Sequence, residues 1–261
     1  MKLGKHTELF EGHRKTDTVI FYGTGYSIND ISREDWDILK QYDSMSLNWF
    51  MYHDFIVPRF YYRGENSGRV FGQKWKKLFN KKRNMYKNTT FLTKPGNHLD
   101  LQNVGVKQAY VLDFHKSFDK KMIKKLGTQR AYDQSLKGFR IMPDKLYFFG
   151  RSTVCPMLVL LYQMGYKEII LYGLDLSDKR YFWIDRSPDE VHWRWNRERL
   201  RNRNTELTGS EGKTIPHINK QASIIFIPYF NDNYMKGNIY VGSEKSALSK
   251  HLKYKTIEEL K

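Results

Sequence analysis

The sequence predicts an α/β protein: a mostly parallel sheet flanked by helices. Three observations predict it. A β-branched and aromatic run, Thr18-Val19-Ile20-Phe21-Tyr22, passes through a glycine turn into a capped helix. A helix-spaced apolar segment from Ser152 to Met164 is followed by Gly165 and a continuous apolar strand, Ile169-Ile170-Leu171-Tyr172. Finally, 261 residues with 40% hydrophobic and 15% aromatic side chains suffice to bury one large core.

Taken in order, the first strand ends at Gly23-Thr24-Gly25-Tyr26-Ser27, and the next helix begins at Ser32, with Asp35 three positions on as in a capping box. A second strand is expected over Ser44-Met45-Ser46-Leu47-Asn48-Trp49. From Gly64 to Asn88 the composition turns basic, with Lys74, Lys76, Lys77, Lys81, Lys82, Arg83 and Lys87 and no acidic residue between Lys74 and Lys87. Trp75, Leu78 and Phe79 fall on one side of a helix there, which predicts a basic amphipathic helix, read as an insert over 74–87. Further strands are expected at Phe91-Leu92, Ala109 to Leu112 and Leu146 to Phe149.

The segment from Ser152 to Met164 carries Val154, Met157, Leu158, Leu161 and Tyr162 at helical spacing. Gly165 is expected to end that helix as a left-handed cap, and the strand after it runs into Gly173-Leu174-Asp175. Residues 177–212 are polar, aromatic and arginine-rich, and read as a mobile lid or acceptor loop. A helix from His217 to Ile225, a strand from Asn238 to Val241, a helix from Ser243 to Leu252 and a polar tail complete a single domain over 1–261.

Lysine and arginine number 45 against 28 acidic residues, a net charge of +17. That excess draws polyanions, whether nucleic acid, an anionic membrane or a phosphorylated glycan. Cys155 is the single cysteine, so no intramolecular disulfide and no thiolate cluster is available, which favours a reducing compartment and disfavours structural zinc. The eight histidines do not cluster in ligand-like pairs, and no metal and no cofactor is expected. Met1 to Arg14 holds no apolar run of signal-peptide length, and no stretch is long enough to span a bilayer, so a soluble, cytoplasmic protein is expected.

Each chemical signal has a plain alternative. Backbone N–H groups of Gly23, Gly25 and Ser27 either face a phosphate or close a tight strand-to-helix turn. Asn48 either binds a base or ribose or ends its strand. Asp175, at the carboxyl end of a central strand, either faces a ligand or caps a turn. His192 is either a general base for an acceptor hydroxyl or simply exposed, and Tyr181 is placed to donate to a departing phosphate. Lys74 to Lys87 either bind a polyanion or solvate a helix. Trp193, Arg194, Trp195 and Arg197 combine stacking faces with phosphate-binding cations, a combination suited to unstacked bases and also to sugars.

The order of these motifs resembles the bacterial CMP-sialic-acid-dependent sialyltransferases of the Campylobacter type. Val19 to Ser27 resembles that family's opening strand and glycine turn, Leu47-Asn48-Trp49-Phe50 its asparagine segment, and Gly165 to Asp175 its Gly-Tyr-Lys-Glu-Ile strand with a Gly-x-Asp end. The resemblance implies a modified GT-A, Rossmann-like fold. It further implies that Gly23, Thr24, Gly25 and Ser27 hold donor phosphate and ribose, that Asn48 holds the nucleotide, and that Asp175 belongs to the donor site. Ser152 and Thr153 fall at the family's phosphate contact, His192 near its general base, and Tyr181 near one of two leaving-group tyrosines, with Ser177 at the other.

The expectation is therefore an inverting, metal-independent glycosyltransferase that uses a nucleotide-sugar donor. Its charge makes DNA the expected acceptor, of the hydroxymethylcytosine type built by bacteriophages, with glucosyl or arabinosyl transfer in the infected cell. Two alternatives stand beside it: a sialyltransferase-like enzyme acting on lipooligosaccharide or capsule at the membrane, and a non-catalytic nucleic-acid-binding protein.

Overall fold

Strand and helix alternate through most of the chain. The computed structural model describes residues 1–64, 68–116, 125–149, 152–177, 181–183 and 215–261. Strands β1 (Lys2–Lys5), β2 (Thr18–Tyr22), β3 (Asp43–Leu47), β4 (Phe60–Arg63), β5 (Thr90–Thr93) and β6 (Gln108–Val111) are followed by β7 (Phe114–Lys116), β8 (Leu146–Phe148), β9 (Glu168–Tyr172), β10 (Ile239–Val241) and β11 (Lys253–Tyr254). Helices α1 (Arg33–Leu39), α2 (Gly68–Lys82), α3 (His98–Asn103), α4 (Thr128–Lys137), α5 (Val154–Gln163) and α6 (Ile215–Phe230) lie between them.

Nine strands form one sheet in the order β1-β6-β5-β4-β3-β2-β9-β10-β11, and β7 pairs with β8 separately. Each of these pairings is parallel. Parallel neighbours need crossovers, and crossover helices cover both faces of the sheet, so the central strands read as continuous apolar runs. Along β2 the side chains alternate between two cores. Val19 and Phe21 face one that contains Met157, Leu158 and Leu161 of α5 and Phe226 of α6. Ile20 and Tyr22 face another, with Trp36 of α1, Trp75 and Phe79 of α2, and Leu101 of α3.

Local signals set several boundaries as expected. The Ser32 hydroxyl accepts from the Asp35 N–H at 3.1 Å and caps α1. Gly165 has φ of +83°, the left-handed cap that ends α5 and turns the chain into β9.

One expectation is corrected, and two elements are added. The basic stretch forms α2, the crossover between parallel β4 and β5, with Trp75 and Phe79 buried against the sheet. The helix expected over 243–252 is only a 3-10 turn, Ala247–Lys250, because the Ser246 hydroxyl accepts from the Leu248 N–H and local serines compete with helical pairing. The charged N-terminus is a sheet edge, in which β1 pairs with β6 and buries Gly4 alone of its four residues.

Candidate functional site

Strand order reverses between β2 and β9. From β2 the sheet grows one way through β3, β4 and β5, and from β9 the other way through β10 and β11. The loops leaving the carboxyl ends of two such strands diverge and leave a crevice, where open α/β sheets bind ligands.

The two loops at this point are joined by backbone. The Gly23 N–H donates to the Tyr172 carbonyl and the Gly25 N–H to the Gly173 carbonyl, each at 2.7 Å. The Ser27 N–H donates to Asp175 Oδ2 at 2.9 Å, and the Ser27 hydroxyl donates to Asp175 Oδ1. Asp175 is 3% exposed. A buried carboxylate needs such donors, and it locks the β2 turn to the β9 turn. Glycine is required at position 25 because a Cβ there would lie 2.5 Å from Asp175 Oδ2. The Gly23, Gly25 and Ser27 N–H groups, expected to face a phosphate, here donate to the neighbouring loop, and Asp175 holds the turn.

Residues 181–183 close over the same turn. Tyr181 pairs with Gly25 in an antiparallel bridge, the Phe182 N–H donates to the Thr24 carbonyl at 3.2 Å, and the Asn29 amide donates to the Phe182 carbonyl at 2.9 Å. The Tyr181 ring stacks on Trp183 with centroids 4.5 Å apart, and Trp183 packs against Tyr52 at 5.3 Å. Thr24, Gly25 and Tyr181 therefore share one locale. The expected partner of Tyr181, Ser177, donates instead to the Asp175 and Lys245 carbonyls.

Asn48 ends the adjacent strand. Ser46 is in register with Tyr22, so Asn48 leaves β3 beside the turn that leaves β2. It has φ of +49°, a left-handed conformation that asparagine tolerates, and its Oδ1 accepts from the Gly64 N–H at 3.3 Å. Sequence reading missed its neighbour Arg63, which is fully buried at the end of β4. The guanidinium lies 5.8 Å from the Trp49 ring and 5.0 Å from the Trp75 ring, with Asp100 at 3.6 Å. No periodicity marks such a residue; only the meeting of four distant segments does.

Ser152 and Thr153 lie at the start of α5. The Ser152 and Ser223 hydroxyls bond at 2.8 Å between the start of α5 and α6, and Ser152 donates its N–H to the Phe149 carbonyl at 3.0 Å. Thr153 is half-buried at the start of α5, and its side chain caps nothing there.

The basic residues divide. Lys76, Lys77 and Lys81 are exposed on α2, and Lys74 is half-buried. Lys82 pairs with Asp54 at 2.6 Å, and Arg83 donates to Asn80 and to the Val104 carbonyl. Those two brace the helix. His192, Trp193, Arg194, Trp195 and Arg197 lie outside the described residues. Among the described residues no group of three or more His, Cys, Asp or Glu is placed to hold a metal ion. One Asp-x-Asp spacing exists, Asp35-Trp36-Asp37, but it spans α1 with Trp36 buried and Asp37 paired with Lys40 at 2.8 Å.

No protein-family model matches the chain, and no curated protein matches its sequence. Solved structures do. The sialyltransferase CstII from Campylobacter jejuni, in complex with the substrate analogue CMP-3FNeuAc, is 16% identical with a TM-score of 0.52, over 92% of this chain and 86% of that one. A structure of sialyltransferase CST-II in complex with trisaccharide acceptor and CMP is 14% identical with a TM-score of 0.49, over 91% and 85%. The protein thus has an α/β fold like that of CstII, a nine-stranded parallel sheet with helices on both faces.

Proposed function

We propose that the protein is a glycosyltransferase that takes a sugar from a CMP-linked donor and passes it to a saccharide hydroxyl. The observation that carries the reading is the crevice at the reversal of strand order. There Thr24, Gly25, Asn48 and Tyr181 stand on adjacent strand ends, in a fold like that of a sialyltransferase bound to a CMP-sugar analogue. In the mechanism we assign, Thr24 and Asn48 orient the nucleotide and Tyr181 steadies the leaving phosphate. His192 takes the proton of the acceptor hydroxyl as its oxygen bonds the anomeric carbon and the bond from that carbon to the phosphate oxygen breaks. One displacement inverts the anomeric centre and releases CMP, and no metal takes part.

The hydroxymethylated DNA acceptor expected from charge, and with it a phage role, finds no support in the comparisons. Two of its assigned cations, Lys82 and Arg83, are moreover engaged within the fold.

Incubation with CMP- and UDP-sugars, in the presence of saccharides or hydroxymethylated DNA, tests the reading by CMP release and product mass. Mass added to a saccharide from a CMP-sugar is expected, with kcat of His192→Ala lowered by about 10²-fold or more. Failure of the wild-type protein to bind CMP or to turn over any donor would overturn the assignment.

A further inference from the structure

The amino-terminal pole of the sheet, opposite the crevice, carries a second cavity of about 480 Å³. Its floor is Asp43 and Ser44 at the start of β3, with Arg59 and Thr89 immediately before β4 and β5. One wall is apolar: Phe55, Ile56, Val57, Pro58 and Met85. The other cations in the lining are Lys15 and Lys40, the latter already paired with Asp37 at 2.8 Å. Asp43, its single carboxylate, is already satisfied. Oδ2 accepts from the Lys15 N–H at 2.6 Å and the Tyr166 hydroxyl at 2.8 Å, and Oδ1 pairs with Arg59 at 3.1 Å.

Two features of the rim are unusual. Phe55 and Met85 are 44% and 45% exposed, although both border a cavity and most large apolar side chains among the described residues are buried. Exposed lysines flank them: Lys15 across the cleft, and Lys81 and Lys87 on either side of Met85 in sequence. None of these three makes an ion pair with a described residue. Cations around a polar floor suit a phosphate, and protruding apolar side chains beside them suit what is attached to it. Ile56, Val57, Pro58 and Met85, beside the rings of Tyr42 and Phe55, make the apolar lining mostly aliphatic, which favours an acyl chain over a nucleobase.

We propose that this cleft seats the phosphate headgroup of an anionic phospholipid while Phe55 and Met85 enter the acyl boundary, docking the protein on a membrane by the pole opposite its candidate active site. Lysines near an anionic leaflet supply long-range attraction, and the apolar pair supplies the contact that salt does not screen. The inference goes beyond the transfer reading, since vesicle binding needs neither donor nor acceptor.

Co-sedimentation with phosphatidylglycerol–phosphatidylcholine vesicles tests it, on wild type, Phe55→Ser/Met85→Ser and Lys15→Ala/Lys40→Ala. The altered side chains are all partly exposed, so an unchanged melting temperature verifies folding. Wild type is expected to bind these vesicles but not pure phosphatidylcholine, with each double variant at least about tenfold weaker and Lys76→Ala/Lys77→Ala within about twofold of wild type. Any of four results would overturn the proposal. Wild type fails to bind, or the Phe55/Met85 variant binds as well as wild type, which leaves net charge alone. Glycerol phosphate at millimolar concentration displaces the vesicles, which identifies a soluble anion. Finally, the Phe55/Met85 variant loses affinity for single-stranded DNA to the same degree, which identifies a nucleic-acid face.

Discussion

Asp175 illustrates how a residue at a ligand-binding position of the fold also braces structure. It sits at the carboxyl end of β9, where ligands bind, yet both oxygens are taken by Ser27. The turn it braces tolerates no side chain at position 25, so Gly25→Ala is expected to lose about 1–3 kcal/mol of stability in urea unfolding. Ser27→Ala removes the hydroxyl without adding bulk and isolates the hydrogen bond, at about 1–2 kcal/mol. A second buried polar residue sets a pH dependence. His6 is 2% exposed, and burial holds its imidazole below the ordinary value of 6.5. The folded protein therefore binds this proton less readily than the unfolded chain. The contribution of neutral His6 is complete above about pH 6.5 and is lost as pH falls below it, with a slope of at most about 1.4 kcal/mol per pH unit. Urea midpoints from pH 7 to pH 5 should decline less steeply in His6→Leu than in wild type.

At the scale of elements, α2 shows that a basic helix and a packed helix can be one object. Trp75 is fully buried, its indole N–H bonded to the Tyr61 hydroxyl at 3.3 Å, and its ring is stacked on Phe79. Trp75→Ala should cost about 3–5 kcal/mol, and Lys76→Ala at the exposed neighbouring position less than about 0.5 kcal/mol, both by denaturant unfolding. The apolar side of α2 was legible from its spacing; its office as a crossover was not, because β4, with the sequence Phe-Tyr-Tyr-Arg, lacks the β-branched signature that announced β2 and β9. The edge strand β1 was invisible for a related reason, since Lys-Leu-Gly-Lys is a strand only by virtue of pairing with β6. The candidate site was legible where it follows from local runs, as in the glycine turn, Asn48 and Gly173 to Asp175. It was not where partners are remote: Ser27 meets Asp175 across 148 residues, and that contact decides what the turn can bind.

For the whole molecule, Cys155 is a built-in reporter. It is completely buried at the start of α5 beside Ser152 and Ser223, and burial pushes its thiol up to about 12. Native protein at pH 8 should therefore resist thiol reagents, and labelling should proceed at the rate at which the core opens. A rapid native reaction would show that α5 and α6 separate locally. The geometry of the sheet also bears on synthesis. Its β2–β9 pair joins Thr18 to Glu168, a separation of 150 residues, so a ribosome has made most of the polypeptide before β2 acquires its second neighbour. Until then the emerging chain holds β2 with one flank open and sticky, a state that chaperones guard and that makes refolding from dilution slow compared with helical proteins of equal length.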